Sequence, residues 1–191
     1  MRYTVSVFSI TKECLTVKKE IRLYNIFFPI WLILLFYPLC WLVVLPVNFG
    51  VDLLVIVLTL RALHADNIKI KAKKSILKVW LFGFLADIIG GVLLFSTQFI
   101  DMFLEKHAPA AEIWWYNNMV NSTLFNAFEN VYAFLWVFLC TAVSGLLIYV
   151  FNYNLCLKKV ITDPIERRKL ALALAVFTAP YTFFIPTPMI G

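Results

Sequence analysis

Charged residues are scarce in this sequence. Only 15% of its 191 residues are Asp, Glu, Lys or Arg, whereas 62% are hydrophobic and the mean hydropathy is +0.86. A soluble domain carries about 25% charged residues, and one of this length could not bury so much apolar surface. The composition therefore predicts an all-α integral membrane protein. At about 20 residues per span, the chain has room for one polytopic domain and no extramembrane domain.

The residues that build metal and redox sites are also few. His64 and His107 are the only histidines, and the four cysteines contain no CxxC pair. We therefore expect no metal site, no disulfide framework and no cofactor. The motifs of nucleophilic hydrolases, zinc proteases and nucleotide-binding loops are also missing, so we expect no catalytic residue, no enzyme activity and no nucleic-acid partner.

Five apolar runs make up most of the chain. They predict a bundle of about five transmembrane helices, over residues 26–45, 49–63, 76–100, 124–157 and 170–185. Residues 1–24 form a predicted cytoplasmic tail, and residues 25–191 form a single polytopic transmembrane domain. The first two runs are separated only by Pro46, Val47 and Asn48, which predicts a tight turn between two helices.

The basic residues are distributed unevenly over the predicted loops. Of the 17, five precede the first run, six lie between the second and third or at their facing ends, five lie between the fourth and fifth, and only Lys106 lies on the other side. Because short cytoplasmic loops collect Lys and Arg, this pattern predicts a cytoplasmic N-terminus and an exterior C-terminus. We expect a multi-pass protein of the cell membrane, most simply a bacterial cytoplasmic membrane.

The topology gives a first testable prediction. In a variant without native cysteines, an impermeant thiol reagent added outside should label a cysteine placed within 101–123 or at Gly191. The same reagent should miss cysteines placed at Lys71 or Glu166, since these positions lie in predicted cytoplasmic loops. Labelling at Lys71 from outside would contradict the predicted orientation.

Three acidic residues lie inside the apolar runs. Asp87 is the deepest, and Asp52 and Glu129 are predicted within about two turns of the exterior surface. An ionised carboxylate at the bilayer centre costs at least about 2.5–3.5 kcal/mol, so such residues rarely face lipid. One hypothesis is a proton, cation or polar-solute path with Asp52 and Glu129 at its mouth, Asp87 at its waist, and Asn126 and Asn130 nearby. The alternative is that Asp87 is protonated and hydrogen-bonded to a neighbouring helix, while the other two acids reach water.

Small residues surround Asp87 in the third run. Gly83 and Gly91 lie four residues before and after it, and Gly90 lies on the adjacent strip. Ala175 and Ala179 form a matching strip in the fifth run. Small residues allow helices to pack closely in membranes, so this pattern predicts that Asp87 points into the bundle.

A lysine-rich segment follows the second run. Lys69, Lys71, Lys73 and Lys74 could bind anionic lipid headgroups, although their role in orienting the chain explains them equally well.

Two functions fit the sequence. The leading hypothesis is a non-catalytic membrane subunit or scaffold, whose small-residue helix faces dock a second copy or a membrane partner protein. The alternative is a small proton- or cation-coupled transporter or channel-like protein that uses Asp87 and Glu129. Both place the chain in the lipid bilayer.

Overall fold

The computed structural model describes residues 38–186, and every regular element within them is helical. The α-helices, numbered in chain order, are α1 Pro38–Ala62, α2 Ile68–His107, α3 Pro109–Trp115, α4 Asn121–Phe125, α5 Val131–Phe151 and α6 Pro164–Phe177. Single π-helical or 3₁₀ turns link or extend them at Tyr116–Val120, Ala127–Glu129, Asn152–Cys156 and Tyr181–Phe184. The predicted all-helical class is confirmed over these residues.

Three helical segments are long and apolar enough to cross a bilayer: Trp41–Ala62, Ile68–His107 and Val131–Cys156, with 22, 40 and 26 residues. They are compatible with a membrane location. The predicted fifth span is instead a helix of 14 residues, α6. At about 1.5 Å per residue it measures roughly 21 Å, which is shorter than a hydrocarbon core of about 30 Å. Most of the predicted first span and the predicted tail lie outside the described residues.

Helix α1 runs without interruption through Pro46. The predicted turn at Pro46, Val47 and Asn48 is therefore wrong. In lipid every backbone polar group needs an internal partner, so continuing the helix past one proline costs less than exposing a turn. In the continuous helix, Asp52 lies ten residues before the end of α1, whereas the sequence pattern places it near the beginning of a separate second span.

Four helices form the bundle. Helix α2 packs against α1 and α5, and α6 packs against α5 and α1, which closes a ring. The core of this ring consists of apolar side chains that are almost completely removed from the surface: Ile56, Leu60, Val79, Ile148, Leu170 and Leu174. Although α6 is short, it is therefore an integral part of the bundle.

The basic residues gather at one end of the ring. Lys71 of α2 forms an ion pair with Glu166 of α6, with Nζ 2.8 Å from Oε1, and both side chains are mostly buried. The other lysines of the predicted lipid-binding segment, Lys69, Lys73 and Lys74, are exposed. Lys71 is thus engaged within the protein, whereas the side chains of the other three lie at the surface.

Asparagines interrupt the helices at the opposite end. The side chain of Asn126 accepts a hydrogen bond from the Phe128 N–H, and that of Asn130 accepts one from the Tyr132 N–H, at 3.2 and 2.9 Å. Both are N-cap contacts, which begin a new helix rather than continue the previous one. The predicted span 124–157 consequently starts only at Val131.

Candidate functional site

Asp52 and Asp87 lie at the same depth in the bundle. Asp52 precedes Arg61 by nine residues, and Asp87 follows Lys78 by nine residues. Asp52 therefore lies about 14 Å along α1 from Arg61, and Asp87 lies about 14 Å along α2 from Lys78 and about 24 Å from Lys71.

Helix α6 ends at this same depth. Its last residue is Phe177, and Pro180, which has no N–H to continue a helix, follows shortly after. The Thr178 hydroxyl donates to the Leu174 carbonyl at 2.8 Å, and the Tyr181 hydroxyl donates to the Val176 carbonyl at 2.6 Å. A helix C-terminus carries roughly half a negative charge, so α6 brings its negative pole to the middle of the bundle.

Each aspartate lies beside a second helix. Asp52 is only 7% exposed, and it lines the same cavity as Thr178, which lies beyond the end of α6. Asp87 is half-buried, and its Oδ1 accepts a hydrogen bond from the Ser144 hydroxyl of α5 at 3.1 Å. Ser144 is fully buried. The two carboxyl groups therefore lie inside the bundle, as expected for acids that avoid lipid.

Two neighbouring cavities contain these carboxyl groups. One of about 110 Å³ is lined by Asp52, Asp87, Asn48 and Thr178. The other, of about 160 Å³, shares Asp87, Asn48 and Thr178 and extends past Thr182. Both volumes exceed what one water molecule requires. Polar oxygen atoms thus face space that could hold water or a small ion.

The residues around the cavities favour positive charge. Among the described residues that line either one, none is Lys, Arg or His. Carboxylate, hydroxyl and amide oxygens are the ligands that hard cations prefer, and the helix C-terminus adds negative potential. The site is therefore suited to a proton or a small cation and unsuited to an anion.

The other predicted site residues lie elsewhere. Glu129 is exposed, and its Oε1 accepts a hydrogen bond from Asn126 at 3.1 Å. Asn130 donates to Asn118 at 2.9 Å. Asn126 and Glu129 precede α5, and Asn130 is its N-cap. Ser144, which binds Asp87, lies 14 residues or about 21 Å further along α5 than Asn130. The predicted mouth shared by Asp52 and Glu129 is not formed, because the uninterrupted α1 carries Asp52 to the depth of Asp87.

Three site residues were missed by sequence reasoning. Asn48 was assigned to a turn, and Ser144 and Thr178 were not distinguished from other small polar residues in apolar runs. The position of Thr178 near a helix end could have been found from the sequence, because Pro180 two residues later marks the end of a helix. Nothing in the sequence pairs Ser144 with Asp87.

Small residues determine how closely the helices pack. A methyl group added at Gly90 would lie 3.0 Å from Cβ of Ser144 and 3.4 Å from the Cys140 carbonyl oxygen. The same addition at Gly83 or Gly91 would make only ordinary contacts, at 3.9 Å. Helices α2 and α5 are therefore in close contact at Gly90.

Helices α5 and α6 also meet through small residues. A methyl group added at Gly145 would lie 3.4 Å from the Ala175 carbonyl oxygen and 3.8 Å from Cβ of Ala179. The two alanines of the predicted strip thus face α5, next to the point where α6 ends.

Comparison with protein-family models, with curated proteins and with solved structures finds no match to this chain.

Proposed function

We propose that the protein moves a proton or a small monovalent cation across the membrane, and that Asp52 and Asp87 bind it at mid-depth. One observation carries this proposal: two carboxyl groups from different helices line adjoining cavities inside an apolar bundle. Acids at this depth are costly, and where they occur they commonly mark ion paths and proton relays. This revises the sequence-based order of hypotheses, in which a subunit or scaffold came first, and it replaces Glu129 by Asp52 as the partner of Asp87.

The end of α6 supports a cation in particular. Many transporters place helices that stop midway at their binding site, where the C-terminal ends and unwound carbonyls coordinate cations. Here Thr178, which follows the end of α6, lines the same cavity as Asp52 and Asp87. A cation at this position would be attracted by both carboxyl groups and by the helix dipole.

The orientation is part of the same proposal. The basic end of the bundle, with Arg61, Lys78 and Lys169, faces the cytoplasm in the arrangement that the positive-inside rule favours. The continuous α1 removes the turn on which the predicted cytoplasmic N-terminus depends, so the proposal is restricted to the basic end facing the cytoplasm, with the cytoplasmic membrane of a bacterium as the simplest location.

The proposal is tested by ion flux into proteoliposomes. Proton, Na⁺ and K⁺ uptake are measured separately, each down an imposed gradient, for the wild type, Asp52→Asn and Asp87→Asn. Asparagine keeps the volume and hydrogen-bonding capacity but cannot titrate or carry charge. We expect the wild type to conduct at least one of these ions and each variant to fall to the background of empty liposomes.

Asp66→Asn is the matched control, because Asp66 is exposed in the loop between α1 and α2. Its flux should equal that of the wild type. A wild type without flux of any of the three ions would contradict the proposal and favour the subunit or scaffold hypothesis. Unchanged flux in both site variants would show that the aspartates serve packing only.

A further inference from the structure

An apolar groove follows the boundary between α5 and α6. Its volume is about 570 Å³, and it contains Ala142, Gly145, Ala175 and Ala179. Gly145 brings the two helices into near contact, so these small residues form a shallow floor. Larger and more exposed apolar side chains, such as that of Leu146, stand at the edges. Among the residues that the structure describes, the groove shares only Ala179 with the cavities that contain the aspartates.

The length of the groove matches one leaflet of a bilayer. On α5 it extends from Phe138 to Tyr149, which is 11 residues or about 17 Å. One leaflet contributes about half of a hydrocarbon core of about 30 Å. A lipid chain lying along the groove would therefore reach from the basic end to about the middle of the membrane.

A single cation stands at the basic end of the groove. Arg168 is the one charged residue among those that line it, and it is exposed and forms no ion pair with any residue of 38–186. Its neighbour Arg167 is engaged within the protein, since its guanidinium lies 4.6 Å from the centre of the Tyr153 ring. Lys169, on the other side, is also exposed. The positive charge of Arg168 is therefore available to an anionic group at this position.

We infer that the groove binds an acyl chain of one anionic phospholipid from the leaflet at the basic end, with Arg168 contacting the headgroup phosphate. A second copy of the chain fits less well, because two copies inserted in the same direction would bring their basic ends together, and like charges at an interface are unfavourable. The inference does not depend on ion transport.

The test is native mass spectrometry of the full chain purified in mild detergent. The protein is mixed with equal amounts of phosphatidylglycerol and phosphatidylcholine that carry identical acyl chains. Two variants are compared with the wild type: Arg168→Gln removes the charge, and Ala142→Trp fills the exposed floor of the groove. Lys159→Gln and Leu139→Trp are the matched controls, since both residues are exposed and do not line the groove.

The wild type should retain one lipid and prefer phosphatidylglycerol. Arg168→Gln should reduce that preference about fivefold, the contribution of one cation near an anionic headgroup, while Lys159→Gln leaves it unchanged. Ala142→Trp should remove the retained lipid, and Leu139→Trp should not. An equal loss of the preference for phosphatidylglycerol in Arg168→Gln and Lys159→Gln would overturn the inference. A wild type that is dimeric and that Ala142→Trp converts to a monomer would also overturn it. If Ala142→Trp fails to fold, the comparison of the two charge variants still decides.

Discussion

Replacing Asp52 by Leu and Thr178 by Val in one double variant is expected to stabilise the bundle and abolish ion flux. Asp52 is 7% exposed, it shares a cavity of about 110 Å³ with Thr178, and this cavity leaves room for a larger side chain. Replacing both members of a buried polar pair by apolar groups is often neutral or stabilising. Substitutions that fill cavities commonly add about 0.5–2 kcal/mol to the free energy of unfolding.

The measurement is the thermal midpoint in detergent at a fixed scan rate, together with flux in proteoliposomes. Higher stability without flux would mean that the polar pair is retained for function at the expense of stability, a trade that is frequent at active sites. Asp52→Asn serves as the control that preserves hydrogen bonding. A double variant that unfolds at a lower temperature than Asp52→Asn would assign Asp52 to structure instead.

Gly90→Leu is expected to prevent assembly of the bundle. The first carbon of a side chain at this position would already lie 3.0 Å from Cβ of Ser144 and 3.4 Å from a backbone oxygen of α5. Neither neighbour can move without displacing the helix, so a full leucine would separate α2 from α5. That separation would also remove the Ser144 hydroxyl from Asp87.

Size-exclusion chromatography and thermal unfolding provide the readout. Gly90→Ala, which adds the single carbon, should lower the free energy of unfolding by about 1–3 kcal/mol. Gly50→Leu is the matched control, because a methyl group there has no neighbour within 4 Å. It should behave as the wild type, and a monodisperse Gly90→Leu with wild-type stability would show that the helices are not in close contact at this point.

The sequence predicts the helical class of the protein well and the ends of the individual helices poorly. Apolar runs and the distribution of basic residues predict a helical membrane protein without reference to any tertiary contact. Pro46 and Asn48 were assigned to a turn because these residues form turns in water, where exposed backbone groups are solvated. Hydrocarbon reverses that preference, and α1 therefore continues through them.

The composition of the site depends on contacts that a linear pattern does not contain. Asp87 lies in a long apolar helix, as the apolar run predicts, but its neighbours come from three other helices. Asp52 joins it only because α1 is continuous, and Thr178 only because α6 ends beside α1. At the far end, side chains that cap helices make Asn126 and Asn130 local structural residues.

The packed side chains between the basic end and the aspartates make access to the site asymmetric. Ile56, Leu60 and Leu174 are fully buried there, and the Lys71–Glu166 ion pair joins α2 to α6 in the same half of the bundle. An ion arriving from that end would meet these packed side chains before reaching a carboxyl group. On the other side, open volume begins at Asp87 and continues past Thr182. The conformation described here is therefore closed toward the basic end, and the proposed ion transport would require a second conformation in which α6 withdraws from α1 and α2.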